Sequence, residues 1–149
     1  MANDWKSFFT SVAQVGFLVG VGYMEHSARE NQIDQLVRLP LERGIQTVIQ
    51  SVPQMDNDGC LDFQRRLATR APYNQNANAL LALTKLMVQA ENQVIQIVKQ
   101  YQLNDAIQIC ATLLQQKQQI EQIAFVAYLQ YLSQRDLKAQ AIFGALVRR

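Results

Sequence analysis

One stretch of this sequence constrains the fold more than any other, because its apolar residues recur at alternating steps of three and four. The residues at these steps are Leu80, Leu83, Met87, Ala90, Val94, Ile97 and Tyr101. Such steps place side chains on one face of an α-helix, and a sustained repeat forms the seam along which helices pack. We therefore predict a long helix here whose apolar face is buried against other helices.

A second repeat follows after a short turn, and the two together predict an antiparallel helical hairpin over about residues 78–132. The second repeat consists of Ile109, Leu113, Gln116, Ile120, Ile123 and Ala127. Gln116 is the polar residue on this seam, and two interpretations stay open for it. It either sets the register through a buried hydrogen bond, or it lies at the edge of the seam.

The rest of the chain is also predicted to be helical, since no stretch shows the sustained apolar–polar alternation of a half-buried strand. A long N-terminal helix is predicted over residues 1–39, ended by Pro40, and a helical bundle over residues 41–149. The bundle includes helices over 41–52 and 61–69 and a last helix that runs to about Val147. The expected architecture is an all-α fold of five to six helices in a single domain.

The predicted N-terminal helix contains an uncharged, glycine-rich stretch, in which Gly16 and Gly20 form a small-xxx-small pair. A glycine in a helix interior costs up to about 1 kcal/mol relative to alanine, so we expect close approach of another helix to offset it. Two interpretations stay open: a tightly packed protein helix, or partial membrane association over residues 8–24. Under both, Gly16, Phe17 and Gly20 are candidate interaction residues.

The composition indicates helices that are covered on several sides. Charged residues make up 17% of the chain, below the roughly 25% of a typical globular domain. The chain has 22 glutamines, and only six charges fall within residues 71–134. We infer that the hairpin is buried within its own domain or against another protein. Tyr128 and Tyr131, near its low-charge end, are candidate interaction anchors.

Few residues in this sequence have the arrangement that catalysis needs. His26 is the single histidine, and we interpret it as a core or interface residue beside Glu30, because a nucleophilic pair or a metal centre would need further partners. We find no glycine-rich phosphate loop. We predict no cofactor and no enzymatic activity. Cys60 and Cys110 are interpreted as reduced residues, which favours an intracellular location, although the compartment is otherwise unknown.

One acidic segment resembles part of an EF-hand calcium loop. Asp56, Asp58 and Asp62 follow the loop spacing around Gly59, but Gln54 and Arg65 stand where the first and last carboxylates belong. A capped turn is therefore the preferred interpretation, and no metal is predicted.

A basic segment follows, with Arg66 and Arg70 on one helix face and Arg65 beside them. Asp58 and Asp62 lie close by and no aromatic residues are interleaved, so the pattern is not that of a phosphate-binding surface. We interpret the segment as a solvated face or as one that forms salt bridges with a partner.

These features predict a non-catalytic helical subunit or adaptor of a larger assembly, which works by helix–helix packing. Two alternatives stay open: a small accessory subunit anchored in a membrane through residues 8–24, and a soluble helical inhibitor or immunity-type regulator. The expected partners are other protein subunits in a homo- or hetero-oligomer, with membrane contact through the N-terminal helix as a second option. A nucleic-acid partner is not expected at a net charge of +2.

Overall fold

The computed structural model describes residues 26–148, and the regular structure in this range is helical, without strands. Its seven α-helices are α1 (His26–Arg38), α2 (Leu41–Ser51), α3 (Asn57–Arg70), α4 (Gln75–Gln100), α5 (Leu103–Gln116), α6 (Gln119–Ser133) and α7 (Leu137–Arg148). Short 3-10 turns, Val52–Gln54 and Ala71–Tyr73, follow α2 and α3. The predicted all-α class is confirmed.

The described residues fall into two compact units, which we call the amino-terminal unit (residues 26–85) and the carboxyl-terminal unit (residues 86–148). Because the boundary lies within α4, this helix contributes its first part to one unit and its second part to the other. The predicted seam on α4 is buried from Leu80 to Ile97. Tyr101 is exposed, since α4 ends at Gln100. That the chain forms one domain stays a prediction.

The core of the amino-terminal unit is built from the apolar faces of four helices. Its buried side chains include Ile33 and Leu36 of α1, Val48 and Ile49 of α2, Phe63 and Leu67 of α3, and Leu80 and Leu83 of α4. Gly44 of α2 lies directly against Leu80, because a Cβ added there would meet the Leu80 Cδ1 atom at 3.3 Å. The missing side chain therefore allows α2 and α4 to approach closely.

Helix α1 ends at Arg38, before Pro40, as the sequence predicts. A helix leaves its last carbonyl groups without partners inside the helix. The Asn76 side chain compensates, because its Nδ2 atom donates to the carbonyl oxygens of Val37 and Leu39 at 3.2 and 3.0 Å. The end of α1 is thus held by the start of α4.

In the carboxyl-terminal unit, helix α6 is enclosed by the folded chain. Every residue from Ile123 to Leu129 is buried, which covers all sides of the helix over nearly two turns. Helix α7 packs on both α5 and α6 and buries Ala139, Ile142 and Leu146. Burial within its own chain therefore accounts for the scarcity of charge in α6, which is the first of the two alternatives inferred from composition.

The second arm of the predicted hairpin is two helices instead of one, so the described residues hold seven helices rather than five to six. Helix α5 ends at Gln116, and Lys117 and Gln118 have extended backbone, with ψ near 151° and 165°. Side chains stabilise this break. Gln118 and Glu121 form a capping box, and Gln122 Nε2 donates to the Leu114 carbonyl at 2.7 Å. The antiparallel arrangement of the hairpin stays a prediction.

The break also changes which side chains of the region are buried. Ala106, Cys110 and Leu114 form the buried positions of α5, whereas Gln116 is exposed at the last position of the helix. Gln116 therefore does not set the register through a buried hydrogen bond, because the helix ends there and its side chain faces solvent.

Two neighbouring leucines of α5 test which of its side chains are buried in the core. Leu114→Ala should lower the free energy of unfolding by about 2–5 kcal/mol, because it removes a buried side chain and leaves a cavity. Leu113→Ala should cost clearly less, since Leu113 is only half-buried. Urea denaturation followed by circular dichroism measures both. If Leu113→Ala lowered the free energy of unfolding more than Leu114→Ala, the result would support the seam predicted from the sequence and contradict the structure.

Candidate functional site

Two charged helix faces meet in the amino-terminal unit. Glu30 and Asp34 are four residues apart on α1, while Asp62, Arg66 and Arg70 recur every four residues on α3. Residues four apart share one face of a helix, and α1 packs against α3. The carboxylates on α1 therefore face the arginines on α3, and their opposite charges pair. We call these five side chains the ion-pair network.

The geometry of the network places the Glu30 carboxylate between two arginines. Arg70 Nη2 donates to Glu30 Oε1 at 2.6 Å, and Arg66 Nη1 donates to Glu30 Oε2. Arg70 Nε also donates to Asp34 Oδ1 at 2.8 Å, and Arg66 Nε donates to Asp62 Oδ2 at 2.8 Å. One carboxylate thus links the two arginines, and each arginine has a second carboxylate of its own.

Burial makes these contacts important for stability. Arg66 and Arg70 are each only 8% exposed, and a buried guanidinium is costly unless its charge and its N–H groups are satisfied. Arg70 also donates to the Arg66 carbonyl at 2.8 Å and to the Thr69 hydroxyl at 3.3 Å. The network therefore holds α1 on α3.

The burial of Arg66 and Arg70 corrects the interpretation of the basic segment as a solvated or partner-facing surface. Arg65 is exposed, but Arg66 and Arg70 are buried against carboxylates of their own chain. The sequence signal that could have revealed this is the spacing of Glu30 and Asp34, which matches that of the two arginines. Nothing local, however, indicated that these two faces meet.

The arginines change the acidity of the carboxyl groups that they contact. Hydrogen bonding from Arg70, followed by that from Arg66, holds the pKa of Glu30 below its ordinary value of 4.5. Burial alone would raise the pKa of Asp62, but the hydrogen bond and charge of Arg66 and the charge of Arg29 outweigh it and lower that pKa. Both carboxyl groups are therefore held in the ionised form that pairs with arginine.

A cleft of about 320 Å³ opens beside the network. It is lined by Glu30, Asp34, Val37, Arg38, Thr69, Arg70, Tyr73 and Asn74. Ligand pockets are usually enclosed and mainly apolar with a few polar groups. This cleft is open and largely polar, and its Glu30 and Arg70 groups already satisfy each other. We therefore assign it to the network and not to a small-molecule ligand.

The segment that resembles a calcium loop in sequence does not form such a loop in the structure. Asn57 to Arg70 is a continuous helix, and Asp56 is its N-cap, with Asp56 Oδ1 accepting from the Gly59 amide at 2.6 Å. Asp62 faces Arg66 and, at 3.6 Å, Arg29. Asp56 thus caps the helix, as the preferred interpretation expected, but the helix begins at Asn57 instead of Leu61. Because Asp58 and Asp62 lie on this helix, they do not form the turn that a calcium loop requires.

The two candidate anchors on α6 differ in accessibility. Tyr128 is buried, and burial together with the charge and hydrogen bonding of Glu91 raises the pKa of its hydroxyl to about 12. Tyr131 is half-buried, its ring centroid lies 5.7 Å from that of Tyr128, and the Arg135 guanidinium sits 4.8 Å above it. Tyr128 therefore serves packing, whereas Tyr131 positions a cation at the end of α6.

A second candidate surface lies at that same end of the carboxyl-terminal unit. Leu137 is 84% exposed, Tyr101 41% and Leu103 39%. Lys138 Nζ donates to the Tyr101 carbonyl and so holds the start of α7 beside the turn between α4 and α5. We call these three apolar residues the apolar end patch. Periodicity did not predict it, because Leu103 and Leu137 are the first residues of their helices.

Several predicted features lie outside the described residues. These are Gly16, Phe17, Gly20, the stretch 8–24 and the first part of the predicted N-terminal helix. Within residues 26–148, no helix has both the length and the apolarity to cross a membrane. The same range contains no group of three or more His, Cys, Asp or Glu side chains that could hold a metal ion.

The chain was also compared with known proteins. No protein-family model matches it, and neither the curated proteins nor the solved structures contain a significant match. Within residues 26–148, the ion-pair network and the apolar end patch are the features that bear on function.

The ion-pair network can be tested by neutralising its carboxylates one at a time. Glu30→Gln should lower the free energy of unfolding by about 1–3 kcal/mol, because it weakens hydrogen bonds to two buried arginines. Asp34→Asn should cost less, since Asp34 pairs with one arginine of the described residues, Arg70, and is about half exposed. Glu42→Gln, at an exposed position of α2, is the control. Equal urea midpoints for all three variants would contradict a stabilising role.

Acid should weaken the same contacts. Because the pKa values of Glu30 and Asp62 are lower in the folded chain, their stabilisation is complete above the ordinary values of 4.5 and 3.8. It is lost as the pH falls through the lowered folded values. Urea midpoints measured from pH 7 downwards should therefore fall below about pH 4.5. The fall should be smaller in Glu30→Gln, and an identical acid profile in this variant would exclude Glu30 as a contributor.

Proposed function

We propose that this protein is a non-catalytic helical subunit that binds another protein through helix packing. The observation that carries the proposal is the apolar end patch. Large apolar side chains that protrude together are typical of protein-binding surfaces, whereas single exposed apolar residues are common on any protein. Leu137 is the most exposed of the three, and the residue after it, Lys138, donates to the carbonyl of Tyr101, two residues before Leu103.

The polar surface of α4 and α5 also supports this proposal. Its exposed positions include Gln89, Gln96, Gln100, Gln108 and Gln115. An amide costs less to remove from water than a charged group, and cores of protein interfaces are depleted in charge. A neighbouring protein could therefore cover these helices without leaving many charges unpaired.

The titratable groups of the described residues are consistent with a structural role. Cys110 is buried and its thiol pKa is raised to about 12, which disfavours the reactive thiolate. The Glu30 and Asp62 carboxylates are paired with arginines. These groups stabilise the chain, which leaves surface packing as the better-supported activity.

Replacement of one patch residue tests the proposal. In its own cells, the tagged chain should sediment in a complex heavier than its mass of 17.0 kDa. Leu137→Gln should release it from that complex without loss of folding, because this side chain is largely exposed. The control is Leu61→Gln, which replaces a leucine on α3 that is 55% exposed and lies outside the patch.

The proposal would be wrong if the wild-type chain sedimented alone. It would also be wrong if both leucine variants behaved like wild type, since the complex would then not depend on the patch. Thermal unfolding of the two purified variants verifies that each remains folded.

A further inference from the structure

The charges around the apolar end patch are mostly basic. Lys99 is exposed in the last turn of α4, Arg135 is exposed in the turn before α7, and Lys138 is half-buried beside Leu137. Asp105 is the exposed acid in the first turn of α5, while Asp136 caps α7 by accepting from the Ala139 amide at 2.9 Å. The solvent-facing rim therefore has a net positive charge.

Two of these cations are held in place by contacts with the chain itself. The Arg135 guanidinium lies 4.8 Å above the Tyr131 ring, and Lys138 Nζ donates to the Tyr101 carbonyl. Cations that are already positioned lose less conformational freedom when a partner binds. Arg135 and Lys138 are thus preorganised to contact negative charge.

The size of the patch makes the rim important. A stable interface buries about 800 Å² on each partner, and three partly exposed side chains supply only a fraction of this area. The partner must therefore also cover the rim, where charge decides which surfaces are compatible. A second copy placed patch to patch would bring two rims of net positive charge together, which is unfavourable.

We propose that the apolar end patch binds an amphipathic helix of a different protein whose apolar stripe is flanked by aspartate or glutamate. The apolar stripe covers Tyr101, Leu103 and Leu137, and the acidic flanks pair with Lys99, Arg135 and Lys138. This mode is the docking of a helix on an apolar surface with charge-determined specificity. The inference rests on the proposed function and names the chemistry of the partner.

Two synthetic peptides test this chemistry on the full chain. Both carry the same leucine stripe at helical spacing, one with glutamate flanks and one with lysine flanks, and the two flanking residues have similar helix propensity. Fluorescence anisotropy should show the glutamate peptide binding about tenfold more tightly, since several exposed ion pairs each contribute a few-fold at most. The preference should shrink as salt is added.

Three variants show where the peptide binds. Leu137→Gln should weaken binding of the glutamate peptide about tenfold or more, by removal of the most exposed apolar contact. Lys99→Glu should reduce or reverse the preference for glutamate flanks. Lys85→Glu is the matched control, because Lys85 is also exposed on α4 but lies in the amino-terminal unit, and it should leave the preference unchanged.

The following outcomes would overturn the inference. Equal binding of both peptides, tighter binding of the lysine peptide, or the same effect from Lys99→Glu and Lys85→Glu would show that the rim does not select acidic partners. Dimerisation of the purified chain that Leu137→Gln abolishes would make a second copy the occupant. If the cellular complex is lost in Leu137→Gln but the peptides bind equally, only the partner chemistry is wrong. If there is no cellular complex, the proposed function fails as well.

Discussion

The buried apolar face of α4 is the contact on which the rest of the structure depends. Its first part, with Leu80 and Leu83, lies in the core of the amino-terminal unit, and its second part, from Met87 to Ile97, is buried in the carboxyl-terminal unit. A helix of 26 residues is much longer than its neighbours, so one continuous seam contributes to two cores. Burial of this face favours close packing of α2, where Gly44 meets Leu80.

The ion-pair network acts differently from this apolar packing. Apolar contacts tolerate many partners of suitable size, whereas two buried guanidinium groups need carboxylates at defined positions. Glu30 provides one oxygen to each arginine, so the network specifies how α1 is placed on α3 as well as stabilising it. The cost of burying charge makes any other placement of α1 unfavourable, because Arg66 and Arg70 would lose their partners.

The carboxyl-terminal unit contains apolar residues of two kinds, those buried inside the unit and those exposed at its surface. Helix α6 is apolar because it is enclosed, so its composition needs no partner protein to explain it. The apolar end patch is the opposite case, since Leu137 and its neighbours remain in solvent beside a basic rim. The proposed interaction surface therefore lies at the helix ends, where exposed apolar residues and positive charge occur together, and differs from the candidate anchors Tyr128 and Tyr131 predicted from the sequence.

The sequence by itself determined the helical class, the buried seam of α4 and the end of α1 before Pro40, because periodicity and proline act through neighbouring residues. The break at Lys117 was also encoded locally, in the Gln118–Glu121 capping box, although the apolar repeat concealed it. Only the tertiary structure decided that Glu30 meets Arg66 and Arg70, which are 36 and 40 residues away, and that Tyr101, Leu103 and Leu137 remain exposed. Both outcomes depend on which helix faces meet, and that is determined by the packing of the whole chain and not by local spacing.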